Sequence, residues 1–264
     1  MERPLKLAAP LAAALLSACV AGEPAGPPLV VLSVSGAGSP AFSGAMEGAR
    51  VAFLEADGER STWEHLAALA TGEEPPRVGA GERAYLPGST STLLETVTRA
   101  GFETAAFLDG PTLTEESGLL QGAFHLLDGP TLELSTDGPT DSFAADEALA
   151  FVGDKLPRPM EDAPAVWVHL NLSGAGPEEA ERKLTGLWER FVALLDEHPE
   201  ALLVGVALPT PSTPGAVLLR GAGSVPSRSD VPLALLDLPP TIAGLLGLPE
   251  PVGGGTDHSE RLRR

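Results

Sequence analysis

The run Leu29-Val30-Val31-Leu32-Ser33-Val34-Ser35, followed at once by Gly36-Ala37-Gly38-Ser39-Pro40, constrains the fold more than any other stretch of this chain. A mostly apolar run with three valines, bounded by turn residues, predicts a strand buried on both faces, as in a parallel sheet. Open α/β sheets place their chemistry in the loops that leave the carboxyl ends of such strands. The loop that leaves this one, Gly36 to Pro40, carries no carboxylate, no histidine and no lysine.

Helical and extended patterns alternate along the rest of the chain. Strands are predicted at Val51–Leu54, Thr104–Leu108, Ala165–Leu170, Leu202–Leu208 and Val217–Arg220. Ser61 and Glu64, and again Thr92 and Glu95, have the capping-box spacing, with Gly72 and Gly101 as stops. Phe143, Ala148, Phe151 and Val152 describe an amphipathic helix that begins near Asp141. Pro177 suits a first helical position, and Glu178 and Glu179 beside it face the positive end of the helix dipole. Leu184, Leu187, Trp188, Phe191, Leu194 and Leu195 then make one apolar face, and a last helix runs from Asp237 to Leu246. Ser117 to Leu127 fits neither period. The alternation predicts an α/β protein, a three-layer α/β/α sandwich. At 264 residues the chain is long enough for one large domain with its own core.

The net charge of −19 argues against nucleic acid and anionic lipid as direct partners. At the N-terminus, Arg3 and Lys6 precede an apolar run, Leu7 to Leu16, that is too short for a bilayer, which needs roughly 20 residues. This is the layout of a signal peptide. It ends in Leu16-Ser17-Ala18-Cys19, which resembles a bacterial lipobox. The resemblance implies removal of residues 1–18, lipid attachment at Cys19, a tether over 19–28, and a protein held by its lipid on the envelope membrane. Cys19 is the only cysteine, so no internal disulfide is expected. The folded domain is expected over 29–251, with 252–264, which includes Gly253-Gly254-Gly255, as a flexible tail.

Several segments, in order, resemble the sulfatase branch of the alkaline phosphatase superfamily. Ala67-Ala68-Leu69-Ala70-Thr71-Gly72 with Pro75-Pro76-Arg77-Val78-Gly79 is similar to the helix after the family nucleophile and its tail. Thr92-Leu93-Leu94-Glu95 through Ala100-Gly101-Phe102-Glu103-Thr104-Ala105-Ala106-Phe107 is similar to "TLAEVLREAGYRTAAF". Val166-Trp167-Val168-His169 is similar to "FLWVH". Leu236-Asp237-Leu238-Pro239-Pro240-Thr241 with Leu245-Leu246-Gly247-Leu248-Pro249 is similar to "VDLAPTLLDLLGLP". The resemblance implies a truncated alkaline-phosphatase/sulfatase-like domain.

The departures fall on the chemistry that the resemblance would imply. Ser35-Gly36-Ala37-Gly38 stands where the family has Asp-x-x-Arg after the first strand. The nucleophile segment aligns with Thr62-Trp63-Glu64-His65-Leu66, so Thr62 is a degenerate nucleophile position and Leu66 replaces the arginine. The stretch after the "WVH" strand is Leu172-Ser173-Gly174, and the "SDHG" metal pair is replaced by Leu208-Pro209-Thr210-Pro211. Transfer of a sulfuryl or phosphoryl group needs concentrated positive charge at the transition state. A hard divalent cation needs several oxygen ligands. No metal ligand set remains at the matching positions, so neither metal nor other cofactor is expected. The expected function is a noncatalytic binding or scaffold module whose protein or glycan partner the sequence does not name.

Two other readings rest on other residues. A weak ester hydrolase built from Asp109, Asp128 or His125 requires those groups to converge on Thr62. A nucleotide-binding module is suggested by Gly36-x-Gly38-x-x-Ala41 after the first strand, with Glu55 and Asp57 at the end of the next, about 20 residues on. His169, at the end of a strand, reads as a structural histidine. Asp257-His258 looks like a displaced metal pair but falls after the last helix.

Overall fold

The computed structural model describes residues 26–37, 49–54, 60–76, 85–109, 114–127, 143–156, 163–224, 227–228, 233–249 and 252–263. The signal peptide, Cys19, and most of the tether, together with Gly38, Ala41, Glu55, Asp57 and Asp128, lie outside the described residues.

The strands are β1 (Leu29–Ser35), β2 (Arg50–Leu54), β3 (Glu103–Leu108), β4 (His125–Leu127), β5 (Pro164–Asn171), β6 (Leu202–Ala207), β7 (Gly215–Arg220) and β8 (Ser227–Arg228). They form one sheet in the order β4-β3-β5-β1-β6-β7-β2-β8. β1 lies near its centre, parallel to β5 on one side and β6 on the other, with Ser33 opposite His169 and Ser35 opposite Asn171. All seven of its residues are buried, as a strand covered on both faces requires. β7 runs antiparallel to both β6 and β2. β4, three residues at the sheet edge beside β3, emerges from the Ser117–Leu127 stretch. It is too short to show a period of two in the sequence.

The helices are α1 (Thr62–Thr71), α2 (Leu93–Arg99), α3 (Phe143–Lys155), α4 (Pro177–Leu194), α5 (Leu238–Leu246) and α6 (Ser259–Leu262). Both expected capping boxes form. Ser61 Oγ accepts from Glu64 N at 3.2 Å while Glu64 Oε2 accepts from Ser61 N at 2.6 Å, and Thr92 and Glu95 repeat the exchange. α1 ends on Gly72 in the left-handed conformation. Leu29, Val31 and Trp167 share one core with Leu66, Leu69, Leu94, Val97 and Ile242, so α1, α2 and α5 cover one face. Val30, Leu32 and Val34 share the other with Ala148, Val152, Leu184, Trp188 and Phe191 of α3 and α4. The three-layer α/β/α architecture is therefore present, with β1 in its middle layer. The helix expected from Asp237, α5, begins at Leu238 because a short 3-10 turn occupies Leu235–Asp237, and α6 follows it.

Residues 252–263 are not the flexible tail that three consecutive glycines suggest. Gly254 N and Gly255 N donate to Gly72 O, the end of α1, at 3.0 and 3.1 Å. A Cβ on Gly253 would lie 2.1 Å from Thr71 O, and one on Gly255 would lie 2.1 Å from Leu236 O. These glycines let two backbones touch rather than loosening the chain. Val252 and Leu262 are buried, and Arg50 donates to Leu262 O at 2.9 Å. Arg263 donates to Gly244 O and Leu245 O, a cation on the last carbonyls of α5.

Candidate functional site

The carboxyl ends of β1, β3, β5 and β6 lie along one edge of the sheet, the place where an α/β protein assembles a site. Strand alternation sends Ser33 and Ser35 of β1, and Trp167 and His169 of β5, to the α1–α2–α5 face. The four side chains form one buried column. Trp167 Nε1 donates to Ser33 Oγ at 2.8 Å, and Ser33 Oγ lies 3.0 Å from His169 Nδ1 and 3.3 Å from Val168 O. Ser35 Oγ lies 3.3 Å from His169 Nε2. Protonating Nδ1 satisfies every contact. Ser33 then accepts from Trp167 and His169 and donates to Val168 O, while Ser35 donates to Nε2; this tautomer is assigned from the network. Burial drives the His169 pKa down to about 3, against the opposing effect of its bond to Ser33. The ring is a neutral, fully enclosed structural histidine. In the sequence this column shows as the alternation of Ser33 with Ser35 and of Trp167 with His169; the pairing between the two strands comes from the sheet register.

The first residues after these strands bond to the neighbouring strand ends. Leu172 N donates to Ser35 O at 3.0 Å, Leu208 N to Val34 O at 2.8 Å, and Asp109 N to His169 O at 2.9 Å. Gly36 has φ +85°, and a Cβ there would lie 2.5 Å from Ser173 Cα and N. The backbone after β5 thus fills the space into which a side chain after β1 would project. Beyond β6, Thr210 and Thr213 bond each other through both backbone and hydroxyl groups, which makes the Leu208–Pro211 stretch the start of a self-satisfied turn. Asp109 Oδ2 accepts from Asn171 N at 3.4 Å, and Asn171 Oδ1 accepts from Ser173 N at 3.2 Å.

Thr62 is the exposed first residue of α1, next to the Ser61 cap. His125 lies on β4, where it bonds Glu103 at 3.0 Å and its ring meets Phe151 at 5.1 Å. Burial works to raise the Glu103 pKa, but Lys155 and His125 hold its carboxyl lower than usual. Five strands separate β4 from β2, which leads toward α1, so His125 and Thr62 do not share a site. β1 and β2 are likewise not neighbours: β6 and β7 lie between them. That excludes the adjacent pair of strands on which a dinucleotide site is built. Asp257 accepts from Ser259 N, and His258 lies 3.5 Å from Asp237 Oδ2, so this pair organises the turn into α6. Among the described residues no group of three or more histidines, cysteines or acidic residues could hold a metal ion. Among the described residues, the donors at this edge do not fit a divalent cation: a serine hydroxyl committed to His169, a glycine with no room for a side chain, and one aspartate held to Asn171.

Among solved structures, the lipoteichoic acid synthase LtaP from Listeria monocytogenes matches 88% of this chain and 75% of its own, at 12% identity and a TM-score of 0.69. The fold is that of the sulfatases and the wider alkaline phosphatase superfamily. A 2-O GAG sulfatase matches 90% of this chain and 74% of its own at 14% identity and a TM-score of 0.63. The phosphonate monoester hydrolase of Agrobacterium radiobacter matches 89% and 77% at 13% identity and a TM-score of 0.60. The sulfatase-like fold here is therefore the shorter form. No protein-family model matches the chain, and no curated protein sequence matches it. Among the described residues no helix is long and apolar enough to cross a membrane.

Proposed function

We propose that this protein is a noncatalytic sulfatase-like module of the bacterial envelope, held to a membrane by lipid on Cys19, which acts by binding or scaffolding. The observation that carries this reading is the neutral column at the carboxyl edge. Ser35, where the family resemblance would put an acidic ligand, is bonded there to His169, and the Ser173 backbone occupies the space beside Gly36. An oxyanion donor is worth about 3–4 kcal/mol of barrier. Losing the cation, the basic clamps and the nucleophile setting together removes most of what lowers the barrier for a sulfate or phosphate ester. The anchor rests on the Leu16-Ser17-Ala18-Cys19 sequence. It is tested by detergent partitioning, which Cys19→Ala should abolish.

The functional test is turnover of aryl sulfates, phosphate monoesters and phosphonate esters with magnesium, calcium, manganese or zinc supplied. The expected result is no turnover above a denatured control and no stoichiometric metal. Metal-dependent turnover that Thr62→Ala abolishes would overturn the reading.

A further inference from the structure

We propose a second site, on the opposite edge of the sheet, that binds a small organic carboxylate with an apolar body. A cleft of about 360 Å³ opens between the end of α4 and the amino end of β6, a size in the range of small-molecule pockets (roughly 300–1,000 Å³). Its floor is Val192, Leu195 and Leu203, and its polar rim is Asp196, His198 and Arg220. Arg220 is the cross-strand partner of Leu203, so its side chain is on the α4 face, above that floor. Among the described residues its guanidinium meets one acceptor, Asp196 Oδ1, at a long 3.4 Å. A guanidinium presents five donors in a fixed fork that matches a carboxylate with two parallel bonds, and most of this fork is unused.

The wall beside Arg220 is a tight turn closed by Ser224 N donating to Gly221 O at 2.8 Å. Gly221, Ala222 and Gly223 have φ of +90°, +47° and +77° in succession, and Ala222 is the one described residue other than glycine in the left-handed region. A Cβ on Gly221 would lie 1.6 Å from Ala201 O, which pins the start of this turn against the cleft. A single arginine, with Asp196 close by and a net charge of −19 on the chain, suits a monoanion rather than a phosphate dianion.

The test is calorimetry, with 1H–15N shifts of Gly221, Ala222 and Gly223, on the full chain titrated with phenylacetate, phenylacetamide and phenyl phosphate. We expect saturable millimolar binding of phenylacetate, at least tenfold weaker binding of the neutral amide, and loss of binding in Arg220→Gln. Asp196→Asn, an exposed change that frees the guanidinium, should tighten phenylacetate severalfold and keeps the test valid if Arg220→Gln misfolds. The assignment is overturned by phenylacetate that does not saturate, by amide or phenyl phosphate that binds as well or better, or by a folded Arg220→Gln that binds like the parent.

Discussion

Ser35 Oγ lies 3.3 Å from His169 Nε2, across the boundary between the two strands at the middle of the sheet. In isolation this contact has the form of a nucleophile with its base. Its surroundings give it another meaning. His169 is fully buried and both its nitrogens meet neutral serines, so among the described residues no carboxylate bonds the ring to stabilise the imidazolium that a base must become. The pair closes a hydrogen-bond network at the carboxyl edge of the sheet.

The first prediction concerns pH. The His169 pKa is about 3 in the folded protein, against about 6.5 in an unfolded chain. The unfolded state therefore binds more protons between these values. Stability is fully present above pH 6.5 and falls as pH drops toward 3, by up to about 1.4 kcal/mol per pH unit. Urea midpoints between pH 7 and 5, above the range where carboxylates titrate, should show this slope. His169→Gln should flatten it.

The second concerns the two serines. Ser33 accepts from Trp167 and His169, so Ser33→Ala leaves two buried donors without an acceptor. The expected cost is about 2–4 kcal/mol. Ser35→Ala removes one donor to Nε2 and should cost about 1 kcal/mol. Chemical denaturation of both variants gives the order, and equal losses would contradict the assigned network.

The third concerns the glycine clasp. Gly253→Ala and Gly255→Ala each place a methyl group 2.1 Å from a carbonyl oxygen, at Gly253 with φ +67° as well. Each should cost about 2 kcal/mol or more. Gly254 faces open space, and its alanine variant should stay within about 0.5 kcal/mol of the parent. Thermal melts that rank all three alike would restore the flexible-tail reading.

What the sequence made legible follows from physics that is local. The Ser61–Glu64 and Thr92–Glu95 boxes, Pro177 at the start of α4 and the doubly buried β1 all depend on near neighbours or on a single period. The column was half legible: the alternation of Ser33 and Ser35 was visible, but their partners Trp167 and His169 lie more than 130 residues away. The clasp was read backwards because glycine serves both flexibility and close backbone approach. Only the positions of Thr71 and Leu236 decide between them. The cleft at Arg220 has no motif, since α4 and the β6–β7 pair each contribute a few ordinary residues.

The last prediction places a carboxylate back at the edge. Ser35 is 5% exposed, so Ser35→Asp buries a charge beside the neutral His169 and should destabilise the protein at pH 7 by about 2–4 kcal/mol. The new carboxylate also favours the imidazolium, which raises the His169 pKa above its parent value. The variant should therefore lose less stability than the parent between pH 7 and 5, so the gap between them narrows as pH falls. Added manganese should leave its urea midpoint unchanged, because one carboxylate is far short of the six oxygen ligands a hard cation takes. A midpoint that rises with manganese would mean that the edge still supplies the remaining donors, and with them the start of a catalytic site.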